Sequence, residues 1–211
     1  DLQQLPNILK STDVQKSEAI WNRYSLPEIY HFSVHSLLSA AVEAWPDSPK
    51  VLLREHYRCH PKIIQFCNQK FYDGKLIVMT EDHDEADVLT IYRTAPGNHA
   101  RGRKNQRQID VIREEVMPRL EKQGYQDIGI ITPYRDQVEA MKAQLGRAAE
   151  VETVHKFQGR EKEAIILSSV DNVITKFVDD PKMLNVAVSR AIRSLTVIVS
   201  QDPRNKKNKL W

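Results

Sequence analysis

No apolar run in the 211-residue sequence approaches the roughly 18 residues that a membrane-spanning helix requires, so that class is excluded. The opening Asp1-Leu-Gln-Gln-Leu-Pro6 has neither an initiator Met nor a signal-peptide pattern, and it reads as the interior of a longer polypeptide. Cysteine is scarce. Cys59 and Cys67 are spaced by eight, which fits no zinc pattern, and two thiols build no disulfide framework. They read as reduced packing residues of a cytoplasmic protein, with no metal site and no membrane partner expected. Charge of one sign is not in excess either. The net charge of +3 leaves the partner unreadable from bulk charge. Local basic runs do occur, Arg101, Arg103, Lys104 and Arg107, then Arg204, Lys206, Lys207 and Lys209. Each is open to two readings, solvated surface or phosphate contact. There is no internal repeat.

What is present is enough apolar content, 41%, for a sizeable core in one large domain, or in one domain with an appendage. Short β-branched runs at 51–53, 88–92, 128–131, 151–154, 164–170 and 195–199 alternate with segments of helical spacing. Ile63, Ile64, Cys67 and Phe71 form one helical face. Ile109, Ile112, Val116 and Leu120 form a second, and Val138, Met141 and Leu145 a third. Such alternation predicts an α/β fold, a parallel sheet covered by helices on both faces. The runs near 128 and 164 are apolar without alternation, as strands buried on both faces should be.

Residues 1–50 break this pattern and read as a connector arm, with helical spacing from Leu37 to Trp45. Residues 51–200 form the α/β unit, and 201–211 a basic tail. The stretch 99–108 is polar and reads as mobile. The acidic run Glu81, Asp82, Asp84, Glu85 and Asp87 reads as a solvated loop. A nuclease would need such carboxylates clustered beside a strand Lys.

In an open parallel sheet, ligands collect at the C-terminal ends of strands. After the first run comes Glu55-His-Tyr-Arg-Cys-His-Pro61, where Pro61 suits a first helical turn. Arg58 there offers either a planar donor fork for phosphate or a salt bridge to Glu55. After the third comes Thr132-Pro-Tyr-Arg-Asp-Gln137. Thr132 could cap the next helix or help seat a phosphate, and Tyr134 could support a base. After the fourth comes Thr153-Val-His-Lys-Phe-Gln-Gly-Arg-Glu161. Thr153, His155 and Gln158 are polar groups suited to phosphates or bases. Gly159 permits a tight turn, and Glu161 could accept from a ribose hydroxyl. His155 is also open to a purely structural reading. Before the last strand comes Leu184-Asn-Val-Ala-Val-Ser-Arg-Ala191. Arg190, beside so apolar a segment, requires either an internal carboxylate or an arriving phosphate.

The series Tyr57-Arg-Cys-His-Pro61, Ile131-Thr-Pro-Tyr134, Thr153 to Glu161 and Asn185-Val-Ala-Val-Ser-Arg-Ala191 resembles, in order and spacing, the second RecA-like domain of superfamily 1 helicases. The branch in question includes the nonsense-mediated-decay helicase and its DNA-processing relatives. Asp1-Leu-Gln-Gln-Leu-Pro6 resembles the end of that family's Gly-Asp-x-x-Gln-Leu-Pro motif. Cys59 stands where the family often has Met, and His155 where it often has Asp.

The resemblance implies a three-layer α/β/α RecA-like fold. It implies ATP and Mg²⁺ held mainly by an N-terminal RecA-like domain of the same polypeptide. No Gly-x-x-x-x-Gly-Lys-Ser/Thr loop occurs in the sequence, and the Asp-Glu-Ala at 84–86 lies in the acidic loop before a strand rather than at a strand's end, so no magnesium motif is read there and the chain is expected to lack ATPase activity alone. By the same resemblance Arg58 and Arg190 reach the γ-phosphate, Gln4 senses it at the hinge, and Gly159 and Glu161 face the nucleotide. Thr132, Thr153 and Gln158 hold single-stranded DNA or RNA, with Tyr134 and His155 beside them. Two rivals are a non-enzymatic nucleic-acid-binding RecA-like domain and a small-molecule kinase. The kinase would need the missing phosphate loop.

Overall fold

A computed structural model describes residues 1–6, 8–97 and 100–207. Lys209 of the basic tail, and Asn98 of the expected turn, lie outside them. The chain divides into two compact units, residues 1–53 and 54–211.

The first unit holds α1 (Ser11–Tyr24), a 3-10 turn (Glu28–Tyr30) and α2 (Leu37–Ala44). Ser36 caps α2, its hydroxyl accepting from the Ser39 N–H at 3.1 Å. α2 coincides with the helical spacing read between Leu37 and Trp45. α1 has no buried residue, so no apolar stripe announces it.

The second unit opens with β1 (Glu55–His56), α3 (Pro61–Phe71) and β2 (Ile77–Val78), the two short strands pairing in parallel. The strand expected at 51–53 is not formed there. Its three apolar residues are exposed, and the ladder begins only where Glu55 meets Ile77, because β2 offers no earlier partner. Pro61 occupies the first turn of α3, as its missing N–H favours.

Next come β3 (Leu89–Thr94), the antiparallel hairpin β4 (Ala100–Arg101) and β5 (Lys104–Asn105), and α4 (Gln106–Val111). The stretch read as mobile is therefore an ordered hairpin leading into a helix. Asn105 and Gln108 are buried, and their amides are bonded into the core, which overrides the polar composition. α4 continues through a π-helical turn (Ile112–Val116) into α5 (Met117–Lys122). The wider turn falls just before Pro118, whose ring and missing N–H disrupt regular α-helix.

The remaining elements are β6 (Ile128–Thr132), α6 (Arg135–Leu145), β7 (Glu150–Thr153), α7 (Val154–Phe157), β8 (Lys162–Ser168), α8 (Pro181–Val188) and β9 (Ala191–Ser200). A 3-10 turn (Pro203–Lys207) follows. The sheet is five-stranded and wholly parallel, in the order β3-β9-β8-β6-β7. Every residue of β6 is buried, as a central strand covered on both faces requires.

On one face Ile130, Ile166 and Ile198 pack with Ile109, Ile112, Val116 and Leu120 of α4–α5, and with Met141 of α6. On the other, Phe157 of α7 presses against Gly129. A methyl at Gly129 would lie 2.8 Å from both Phe157 and Ile165. α8 packs beside α7 and against α3 on that side. The architecture is a three-layer α/β/α RecA-like fold.

Candidate functional site

Two corners carry the polar residues singled out by sequence, one at the N-terminal ends of β8 and β9, where Glu161 and Arg190 precede the strands, and one at the C-terminal ends of β6 and β7.

The first is built on the loop between β1 and α3. His60 caps α3, its Nδ1 accepting the Lys62 N–H at 3.1 Å. Its Nε2 is then left to donate, and it lies 3.2 Å from Glu85 and 3.4 Å from Asp82. Lys62 also reaches Asp82 at 3.0 Å. Part of the acidic run is thus a fastener for the α3 N-terminus rather than free solvated loop. His60, Asp82 and Glu85 are of metal-ligand type and closely grouped. The His60 ring N–H and the Lys62 ammonium already bond the two carboxylates, and the Lys62 N–H occupies the other His60 nitrogen, which disfavours a cation.

The same loop is stitched to the turn between α8 and β9. The Cys59 thiol donates to the Ser189 carbonyl at 3.4 Å, and the His60 N–H to the Ile192 carbonyl at 2.7 Å. Burial pushes the Cys59 thiol up to about 11, so it stays protonated at neutral pH. This stitching brings Arg58 and Arg190 into one cluster. Arg190 is 5% exposed. Its Nε donates to the Val186 carbonyl at 3.1 Å, and its two terminal nitrogens to the Arg160 carbonyl at 3.4 Å and the Ser189 hydroxyl at 2.9 Å. Among the described residues it makes no ion pair, so the internal carboxylate weighed from sequence is not its partner. Burial, then the Arg58 charge, holds the Arg190 guanidinium below its ordinary value.

Arg58 has a carboxylate partner, but Glu55 is not the one. Its Nε lies 2.6 Å from the Glu161 carboxylate, while Glu55 accepts from the Tyr57 hydroxyl. Nearby His56 is held below its usual value by burial, by Arg58 and by Arg190. Its Nε2 accepts the Cys59 N–H at 2.9 Å, as a neutral ring can. Two guanidiniums against one carboxylate leave a net positive charge, which suits an anionic polyphosphate.

The second corner lies at the ends of β6 and β7. Thr132 and Thr153 are direct ladder partners at the last positions of these strands. Thr132 caps nothing. α6 starts at Arg135 with Tyr134 at the cap position, because Thr132 still belongs to the strand. Its hydroxyl is buried and, among the described residues, has no hydrogen-bond partner. The Tyr134 hydroxyl donates to Asp171 at 2.7 Å, and the ring stacks on Phe177 at 5.7 Å between centroids. His155 lies in α7, its pKa lowered by burial and opposed by Asp180.

The turn after α7 links the corners. Gln158 is exposed, and Gly159 holds φ +83°, which a side chain would strain although nothing crowds its Cβ position. Arg160 supplies its carbonyl to Arg190, and Glu161 its carboxylate to Arg58. Gln4 belongs to the first unit, where its amide donates to Asp1 at 3.2 Å.

Sequence reasoning missed His56, Ser189, Asp171 and Phe177. It also missed the buried amides Asn105, Gln108 and Gln137. Their signal was present in polar residues beside the apolar faces of two helices.

Residues 34–202 match the model of a family described as AAA domain. The chain belongs to that family. The chain is 32% identical over 180 residues to the 5′–3′ DNA helicase ZGRF1 of Mus musculus, a match covering 76% of this chain and 10% of that protein. It is 29% identical over 197 residues to Helicase SEN1 of Saccharomyces cerevisiae, covering 78% and 9%. It is 32% identical over 191 residues to a Regulator of nonsense transcripts 1 homolog of Neurospora crassa, covering 76% and 17%. Together these matches make it the C-terminal RecA-like domain of a superfamily 1 helicase of the Upf1-like branch. The chain spans between 9 and 17% of the length of these relatives.

Proposed function

We propose that this helicase domain supplies the transition-state half of an ATP site shared with an N-terminal RecA-like domain, and grips single-stranded DNA or RNA at the other corner, beyond the C-terminal ends of β6 and β7. The partner domain would hold most of the ATP and Mg²⁺, whose phosphoanhydride is the bond broken. Arg58 and Arg190 would place fixed positive charge on the transferring phosphate. Arginines of this kind contribute on the order of 10³–10⁵ in rate. Gly159 and Glu161 would face the nucleotide, and Gln4 would sense the γ-phosphate or the attacking water at the hinge. Thr132, Thr153 and Gln158 would hold the strand backbone, with Tyr134 and His155 alongside.

The supporting observation is Arg190. This buried guanidinium is bonded to carbonyls and a hydroxyl, and among the described residues it makes no ion pair of its own. Such a charge is costly unless an anion completes it. Arg58 differs in being held by an exchangeable ion pair. Nucleotide arrival would release it from Glu161, freeing the carboxylate for a ribose hydroxyl.

In the full-length protein, Arg190→Ala should lower ATP turnover at least hundredfold, with single-strand affinity measured without nucleotide changed less than about twofold. Near-normal turnover would reduce Arg190 to a structural tie. Residues 1–211 alone should show no turnover above background. Robust turnover by that fragment would refute the half-site.

A further inference from the structure

We infer that the β4–β5 hairpin is a second grip on single-stranded nucleic acid, in which Arg101, Arg103 and Lys104 take phosphates and Phe177 offers its ring to a base. The inference rests on the reading of Thr132, Thr153 and Tyr134 as strand-contacting residues, and extends it to a surface beyond the motifs.

The tip geometry is the first support. Gly102 and Arg103 form the two-residue loop, with φ +53° and +66°. Positive φ at both central positions defines the type I′ turn, which favours Gly, Asn or Asp. An arginine there is strained, and the turn itself gains nothing from it. What the position does give Arg103 is a guanidinium 5.7 Å from the centre of the Tyr134 ring. Tyr134 in turn stacks on Phe177, which remains 49% exposed. Cation, ring and open ring thus stand together just beyond the end of β6. Cationic groove plus aromatic platform is the general pattern of sequence-tolerant single-strand binding.

Charge is the second support. Some cations of this unit, among them Arg113, Lys142 and Lys162, are paired with carboxylates. Arg101, Arg103 and Lys104 are all exposed, and among the described residues none of them makes an ion pair. Three adjacent uncompensated cations repel one another, and a polyanion relieves that repulsion.

Anchoring is the third. The Asn105 N–H donates to the Gln137 side chain at 2.9 Å, and its amide to the Val170 carbonyl at 2.7 Å. Gln108 accepts from the Ser168 hydroxyl at 2.7 Å and from the Val170 N–H at 3.0 Å. All these side chains are buried. The hairpin base is thereby fixed to the end of β8, and to α6 one turn beyond Tyr134. A fixed base means little ordering cost on binding.

The experiment is a salt titration of anisotropy for labelled oligothymidylate and oligouridylate bound to the full-length protein without nucleotide. Each phosphate contact on a single strand contributes about 0.7 to the slope of log affinity against log salt. Combining Arg101→Ala, Arg103→Ala and Lys104→Ala should lower the slope by roughly 2. Arg103→Gly should lower it by about 0.7 while thermal stability is unchanged or raised, since the glycine relieves the strained φ. That variant separates lost binding from lost folding. Phe177→Ala should weaken binding about tenfold at unchanged slope. A triple variant with wild-type slope overturns the inference, whatever its affinity. If Thr153→Val weakens binding in the same assay, the strand-gripping reading survives that failure. Absence of single-strand binding by the unaltered protein removes both.

Discussion

The two corners, at opposite ends of the parallel strands, solve the problem of holding polar groups in different ways. At the arginine corner, charge is buried first and left incompletely matched. Arg190 has carbonyls and a hydroxyl, and Arg58 borrows Glu161. At the strand-end corner the buried groups are neutral. Asn105, Gln108, Gln137 and Ser168 bond to one another, and apart from Asp171, which accepts from Tyr134, charge appears on the exposed hairpin. A buried neutral network is cheap once every donor has an acceptor. A buried charge remains expensive until an anion arrives. The first arrangement suits a group that must act on one phosphate in one geometry. The second suits a rigid platform over which a strand can pass.

The comparison breaks most sharply at Arg58. Replacing it with Ala in the full-length protein should cost at least a hundredfold in ATP turnover, and replacement with Lys should recover little, because an ammonium lacks the planar donor fork. Turnover near wild type for Arg58→Lys would show that charge alone suffices there. Single-strand affinity without nucleotide should be unchanged in both variants, since Arg58 belongs to the other corner.

The converse substitution is Gln137→Leu. It strands the Asn105 N–H and removes a donor from Ser168, so a loss of about 1–3 kcal/mol is expected by chemical denaturation. Single-strand affinity should fall with it as the hairpin base loosens. A variant destabilised to that degree but binding normally would sever the hairpin from the platform. Gly129→Ala is a control that favours neither corner. Its methyl would meet Ile165 and Phe157 at 2.8 Å, inside β6. Overpacking of this kind costs about 1–3 kcal/mol, read as a lowered Tm with both functions weakened in proportion. An unshifted Tm would mean that Phe157 and Ile165 can yield.

How much of this was legible beforehand differs between the corners. The central strands were, because β6 and β8 are apolar without alternation, a signature few other arrangements produce. The strand at 51–53 was misplaced because three apolar residues say nothing about where a partner ladder begins. Arg58 and Glu161 stood out by position after strands, and Arg190 as a charge beside an apolar segment before the last one. Their mutual arrangement did not, since a salt bridge between residues 103 positions apart leaves no local pattern. The hairpin was read as mobile because polarity dominates its composition. Only tertiary structure shows that Asn105 and Gln108 turn inward and meet buried amide and hydroxyl partners.

Two histidines offer the finest test of the contrast, one at each corner. Both are held below the ordinary value near 6.5. At His56 burial is joined by repulsion from Arg58 and Arg190, so the causes add. At His155 burial is opposed by Asp180, so they partly cancel. When the folded value lies below the unfolded one, the unfolded chain takes up the proton first. Stability is then full above about pH 6.5 and declines as pH falls toward the folded value. Between about pH 7 and 5, His56→Gln should therefore flatten the loss of stability more than His155→Gln does, with Tm followed across the series. Protonating His56 would also break the bond it accepts from the Cys59 N–H, which steepens its share. Equal flattening would mean that the arginine charges are not felt at His56, and the argument for an uncompensated positive cluster would lose its electrostatic footing.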